Sequence, residues 1–107
     1  HISSETHRGM EMVPVSDVRC FIAEQKYVSV CYPGGNMLIP DSLKELELEF
    51  GDQLVRVHRN ALVALEHVVG LRRDGHEGWC VELDGVDLSP QVSRRHLSSV
   101  KERLRQR

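Results

Sequence analysis

Residues 27–39 read YVSVCYPGGNMLI, and this stretch decides the fold class. Its first half, up to Tyr32, is rich in β-branched and aromatic residues, which favour strands. Pro33 and the two glycines after it supply turn chemistry, because proline presets one backbone angle and glycine permits positive φ. Met37 to Ile39 then return as a short strand. The stretch therefore predicts an antiparallel hairpin.

Strand patterns continue on both sides of this hairpin. Before it, the alternation from Val18 to Ile22 has a period of two, which is typical of a strand. After it, apolar runs predict strands at residues 54–58, 62–65, 68–73 and 79–83. Asp84-Gly85 is a strong hairpin signal. We expect Val86 and Leu88 to form the second strand of that hairpin, and Pro90 to end it.

A short helix is predicted between the strands. Asp41 or Ser42 can act as its N-cap, and Glu45 is placed to complete a capping box with Ser42. Gly51 fits the position that ends the helix. One apolar stripe at helical spacing consists of Leu43, Leu46 and Phe50.

A second helix is predicted from Arg94 to about Arg103, with Ser93 as its cap. Two helices are too few to cover both faces of a parallel sheet. The sequence therefore predicts a mainly β, antiparallel fold with one short internal helix and a C-terminal helix.

Length and composition indicate a single globular domain. The chain has 107 residues, of which 40% are hydrophobic and 28% are charged. Its uncharged apolar-rich runs, such as residues 60–65, are shorter than the ~20 residues of a membrane span. The first ten residues lack the apolar region of a signal peptide. Since the chain begins with His1, we expect residues 1–9 to be the remnant of a linker to a missing N-terminal domain, and residues 10–107 to form the domain itself.

Cysteine and histidine patterns give no sign of a metal or catalytic centre. Cys20, Cys31 and Cys80 cannot all pair within one chain, which favours reduced thiols in a cytoplasmic protein; a Cys20–Cys31 disulfide is the alternative. No two of the six histidines have metal-ligand spacing. A nucleophile elbow and a glycine-rich phosphate loop are also missing from the sequence. We therefore expect no metal, no cofactor and no enzymatic activity.

Charge is distributed unevenly although the net charge is only −2. Residues 41–52 hold five acids and one base, which gives −4, and residues 93–107 hold six bases and one acid, which gives +5. One region of the chain repels anions and another attracts them.

Two polar segments carry side chains that suit DNA. Arg59 and Asn60 follow one apolar strand and precede another; arginine binds guanine O6 and N7 bidentately, and asparagine binds adenine in the same way. Arg94 and Arg95 open the second helix, where cations oppose the helix dipole, so a bound anion would explain them. An ordinary polar turn is the alternative for the first pair, and a solvated basic turn for the second.

A third polar segment connects two predicted strands. Gln25 and Lys26 lie at its tip and could contact nucleic acid, with a plain hairpin loop as the alternative. The chain has only five aromatic residues, which is too few for a stacking surface that binds single strands.

These segments together resemble the LytTR DNA-binding domain of bacterial response regulators. Order and spacing agree over about residues 10–104. The resemblance is carried by residues 21–28 (FIAEQKYV), 43–47 (LKELE), 55–63 (VRVHRNALV) and 92–96 (VSRRH).

The resemblance implies an elongated antiparallel fold of several small sheets that inserts loops into successive major grooves of double-stranded promoter DNA. It implies DNA contacts for the residues already singled out, namely Gln25, Lys26, Arg59, Asn60, Arg94 and Arg95. It also implies a two-component transcriptional regulator with an N-terminal receiver domain, whose phosphorylation would favour a homodimer on DNA. A β-rich protein-interaction module is the alternative function.

Overall fold

The computed structural model describes residues 1–76 and 78–107, and it confirms a mainly β chain with two helices. The described residues form the strands β1 Ile2–Thr6, β2 Gly9–Val13, β3 Cys20–Ala23, β4 Val28–Tyr32, β5 Gly35–Ile39, β6 Leu54–His58, β7 Ala61–Ala64, β8 Val68–Asp74, β9 Gly78–Leu83 and β10 Gln91–Val92. The helices are α1 Leu43–Phe50 and α2 Arg94–Gln106. The molecule is elongated, with extents of 44 × 26 × 24 Å. None of the helices in the described part is long and apolar enough to cross a membrane.

An antiparallel sheet of five strands, in the order β5-β4-β3-β7-β6, forms the centre of the molecule. Strands β4 and β5 are the predicted hairpin. Its turn is Pro33-Gly34, and the φ of 95° at Gly34 explains the glycine, since residues with a side chain rarely adopt this angle. Strand β3 pairs with β7, which places Phe21 opposite Leu62. Segments about 40 residues apart in the chain are thus neighbours in the sheet.

Both faces of this sheet are covered. On one face, Phe21 and Leu62 pack with Leu46 of α1. On the other face, Cys20 and Val63 pack with Val100 of α2. All six side chains are at most 1% exposed. Successive apolar residues of β3 are therefore buried on opposite faces of the sheet. The period of two in the sequence indicates a strand, but it does not indicate that one face of that strand is exposed to solvent.

Helix α1 has the predicted capping box. The Ser42 hydroxyl accepts a hydrogen bond from the Glu45 backbone N–H at 3.1 Å, and the Glu45 carboxylate accepts one from the Ser42 backbone N–H at 2.9 Å. These bonds lower the pKa of Glu45. The helix ends at Gly51, whose φ is +52°. An eight-residue helix depends on such caps and on its packing, because its own hydrogen bonds are few.

Residues 2–13 fold as a hairpin of β1 and β2. Ile2 lies opposite Val13, and both side chains are buried. The Ser4 hydroxyl donates a hydrogen bond of 2.7 Å to the Leu38 carbonyl, which holds the hairpin beside β5. Residues 2–6, which lie in the segment predicted to be a linker, form β1. Residues 2–6 show no strand pattern in the sequence because β1 is polar except for Ile2.

The remaining strands form a second antiparallel sheet in the order β10-β9-β8. The predicted hairpin after Asp84-Gly85 is wrong, because Val86 and Leu88 lie outside the strands and the chain pairs with β9 only at Gln91–Val92. Arg19 holds this turn, because its Nε donates hydrogen bonds of 2.9 Å to both the carbonyl and the carboxylate of Asp84. This turn is thereby anchored to the residue before β3, and a longer loop follows it.

The three cysteines are free thiols. Cys20 and Cys31 are direct partners on the neighbouring strands β3 and β4. A hydrogen bond from Cys20 lowers the pKa of Cys31 to about 7 in spite of partial burial. The same hydrogen bond, together with burial, raises the pKa of Cys20.

Candidate nucleic-acid interface

The connection between β3 and β4 presents Gln25 and Lys26. The Glu24 backbone N–H donates to the Tyr27 carbonyl at 2.8 Å, which closes the connection into a tight loop. Both Gln25 and Lys26 are exposed at its tip. Apolar strands flank this loop, and its four residues, 24–27, all carry a polar group and are exposed. The loop therefore projects beyond the end of the sheet.

The two-residue turn between β6 and β7 presents Arg59 and Asn60, which are both exposed. The turn is held at its backbone from several sides. The Asn60 carbonyl accepts a hydrogen bond of 2.8 Å from the Ala23 N–H at the end of β3. The Asn60 N–H lies 3.4 Å from His58 Nδ1, and the Arg59 carbonyl accepts a bond of 2.7 Å from the Arg56 guanidinium. The side chains of Arg59 and Asn60 are left to face outward.

The start of α2 presents Arg94 and Arg95, and both are exposed. Ser93 occupies the N-cap position as predicted, but its hydroxyl is 2.6 Å from His96 Nδ1 and caps no backbone N–H. The Ser93 N–H donates to the Val57 carbonyl of β6 at 2.9 Å. This bond fixes the start of α2 against the strand that leads into the Arg59-Asn60 turn.

The fold brings the three predicted segments together at one end of the five-stranded sheet. The bond from Ala23 to Asn60 joins the first loop to the turn, and a surface depression of about 310 Å³ is lined by Gln25, Lys26 and Arg59 together. The bond from Ser93 to Val57 joins the turn to α2. Backbone hydrogen bonds thus link segments about 35 residues apart in the sequence, and we call their exposed residues 25–26, 59–60 and 94–95 the three-loop surface.

The three-loop surface is electropositive. Burial lowers the pKa of His96 most, and the nearby positive charges of Arg95, Arg56 and His58 lower it further. Within residues 1–76 and 78–107, Lys26, Arg59 and Arg95 form no ion pair with a carboxylate. Their charges are thus available to an anionic partner.

Arg56 and Glu47 were not among the residues predicted to form the site. The Arg56 guanidinium forms an ion pair with Glu47 of α1 in addition to its bond to the Arg59 carbonyl. A usable signal was present, because Arg56 is the one charged residue in the otherwise apolar run 54–57. Its partner could not be found from spacing, since Glu47 belongs to another element.

The described part of the chain has no cluster of three or more His, Cys, Asp or Glu side chains arranged to hold a metal ion. The chemistry that the three-loop surface offers is hydrogen-bond donation by guanidinium, ammonium and amide groups. These are the groups that bind phosphates and base edges of nucleic acid.

Comparison with known proteins identifies the class of this domain. The family model of the LytTr DNA-binding domain matches residues 8–105, so the chain belongs to the LytTR family of DNA-binding domains. A solved LytTr DNA-binding domain from Bacillus cereus superimposes with a TM-score of 0.84 at 25% identity, covering 96% of this chain and 94% of that one. The predicted fold and DNA-binding function are thereby confirmed, and the alternative of a protein-interaction module is not supported.

One characterised relative is considerably more similar. The chain is 44% identical over 109 aligned positions to the positive alginate biosynthesis regulatory protein of Pseudomonas aeruginosa. The match covers 99% of this chain and 43% of that protein, so the chain spans less than half the length of the relative. The chain is therefore similar to the alginate regulator AlgR over nearly its whole length.

Proposed function

We propose that this domain is the output domain of a two-component transcriptional regulator and binds promoter DNA through the three-loop surface. The observation that carries the proposal is the convergence of three cationic or amide-bearing tips on one end of an elongated sheet.

Each residue of the surface has a proposed role. Arg59 and Arg95 read bases, because guanidinium groups bind guanine bidentately. Lys26 and Arg94 hold phosphates or read bases, and Gln25 contacts a base edge beside Lys26. Asn60 contributes to the shape of the turn as well as to DNA contact, since its backbone is bonded on both sides.

The full-length protein is proposed to add two properties. We infer an N-terminal receiver domain from the resemblance to response regulators and from the 43% coverage of the longer relative. Phosphorylation of that receiver is proposed to favour a homodimer on promoter DNA. The site of action would be the cytoplasm, where bacterial promoter DNA is located.

A selection of binding sites from random duplex DNA tests the DNA contacts. The affinity of the selected duplex is then measured for the wild type and for Arg59→Ala, together with that of a random duplex. Loss of one bidentate base contact should cost about 1–3 kcal/mol on the selected duplex and reduce the preference over random DNA. Arg105→Ala is the matched control, because it removes the same charge about 16 Å further along α2 than Arg94.

Salt dependence provides a second criterion. Binding through several phosphates should weaken by orders of magnitude between ~50 and 200 mM salt, whereas an apolar protein interface would not respond in this way. If Arg59→Ala leaves the affinities for both duplexes unchanged, the proposed surface is wrong.

A further inference from the structure

Arg56 occupies a central position behind the three-loop surface. Its side chain leaves β6 and is only 23% exposed. One terminal nitrogen donates to the Arg59 carbonyl at 2.7 Å, and the other is paired with the Glu47 carboxylate on α1. Its charge also acts on the ring of His96 on α2. The Arg56 guanidinium thus contacts the Arg59-Asn60 turn, forms an ion pair with α1 and lies near the start of α2.

The Arg59-Asn60 turn needs support of this kind. The pairing of β6 with β7 shifts register between Arg56 and His58, so the ladder is irregular immediately before the turn. A register shift of this kind bends the strand and re-aims the residues beside it, so contacts outside the ladder contribute to the direction of the turn. The hydrogen bond from Arg56 to the Arg59 carbonyl restrains the backbone of Arg59, whose side chain we propose to read a base.

The way Arg56 is buried argues against a role in stability alone. Within the described residues, its Nε is a buried polar atom with no hydrogen-bond partner. An unsatisfied buried polar group destabilises the fold, so an apolar residue at this position would be expected if packing were its only role. Glu47 is its ion-pair partner on α1 and is partly buried, whereas the other acidic residues of that helix, Glu45 and Glu49, are exposed.

We propose that Arg56 is a positioning residue for DNA reading, and that Glu47 on α1 orients it. The pair determines the direction of the Arg59-Asn60 turn without contacting DNA. This inference rests on the proposed function of the three-loop surface. It predicts that α1, which contributes no DNA contact, nevertheless affects the choice of DNA sequence through Glu47.

The test compares Arg56→Met and Glu47→Gln with the wild type on the selected duplex and on a random duplex of equal length. Arg56→Met should weaken binding to the selected duplex by about tenfold, the order expected when one bidentate base contact is compromised. Affinity for random DNA should change less than about threefold, and the slope of affinity against salt should remain the same, because no phosphate contact is lost.

Glu47→Gln should leave the protein folded, since residue 47 lies on the helix surface with its side chain 39% exposed. It should reduce the preference for the selected duplex in the same direction as Arg56→Met, by a smaller factor. Glu49→Gln is the matched control, because it removes an equal charge from an exposed position on the same helix. Glu49→Gln should leave the preference unchanged.

Three results would overturn the proposal. If Arg56→Met weakens both duplexes equally and lowers the salt slope by about one unit, Arg56 is itself a phosphate contact. If a folded Arg56→Met variant keeps the wild-type preference for the selected duplex, the Arg59-Asn60 turn needs no support from Arg56. If Glu47→Gln and Glu49→Gln have equal effects, Glu47 acts only through its charge. Failure of the wild type to select any duplex would instead refute the proposed function.

Discussion

Replacing Arg19 with methionine should destabilise the fold more than the loss of any exposed ion pair. The Arg19 guanidinium joins the two sheets: Nε bonds to the Asp84 carbonyl and carboxylate at 2.9 Å, and Nη2 lies 2.8 Å from the same carboxylate. Nη1 donates to the Asp17 carbonyl at 2.7 Å. The Arg19 side chain is 13% exposed, and that of Asp84 is 52% exposed.

The size of the effect follows from these contacts. A net gain of about 1.5–3 kcal/mol is typical for a hydrogen bond to a charged group. The half-exposed Asp84 carboxylate regains water in the variant, which reduces the loss, while methionine preserves the apolar stem. We therefore expect the free energy of unfolding to fall by about 2 kcal/mol, and Tm to fall by about 8–12 °C for a domain of this size.

Urea denaturation and calorimetry of the Arg19→Met variant measure this loss. Arg72→Met is the matched control, because Arg72 lies 3.6 Å from Glu82 and both side chains are about half exposed. The control should lose no more than about 0.5 kcal/mol. A cycle with Asp84→Ala should give a coupling energy of about 1 kcal/mol between Arg19 and Asp84. Equal losses for the two arginine variants, or zero coupling, would refute the reasoning.

Three further predictions concern local sites. Ser42→Ala should lower the free energy of unfolding by about 1 kcal/mol in urea, because it removes the cap of α1, and an unchanged midpoint would contradict this. Cys31 should react with a thiol reagent near pH 7 before Cys20 does, since its pKa is about 7; peptide mapping that finds Cys20 labelled first would exclude this order. In an NMR titration the pKa of His96 should be below that of an ordinary histidine, and Arg95→Gln should raise it. Because the folded pKa is lowered, protonation of His96 should destabilise the fold as the pH falls below about 6.5, and a pKa unaffected by the variant would show that Arg95 has no influence.

Elements that depend on neighbours in the chain were predictable. The 27–39 hairpin and α1 were identified with their turns and caps, because Pro33-Gly34 and the Ser42–Glu45 pair act within four residues of chain. The positions of the polar tips followed in the same way, since each lies between two elements with a clear local pattern.

Elements that depend on distant partners were not predictable. Strand β1 is almost wholly polar and exists through its pairing with β2 and its contact with β5. Strand β10 pairs with β9 at Gln91 and Val92, and the turn at Asp84 that precedes it is bonded to Arg19, 65 residues before Asp84 in the chain. The contact of Arg56 with Glu47 likewise joins a strand to a helix and has no signature in residue spacing.

The sequence alone determined the mainly β class, the capped internal helix and the cationic tips of three loops, because propensities, caps and turn residues act over a few neighbouring residues. Tertiary structure alone decided that these tips share one surface, through the backbone bonds from Ala23 to Asn60 and from Ser93 to Val57. Such bonds form only after the sheets have packed, since their partners are more than 30 residues apart and meet through the register of β3, β6 and β7.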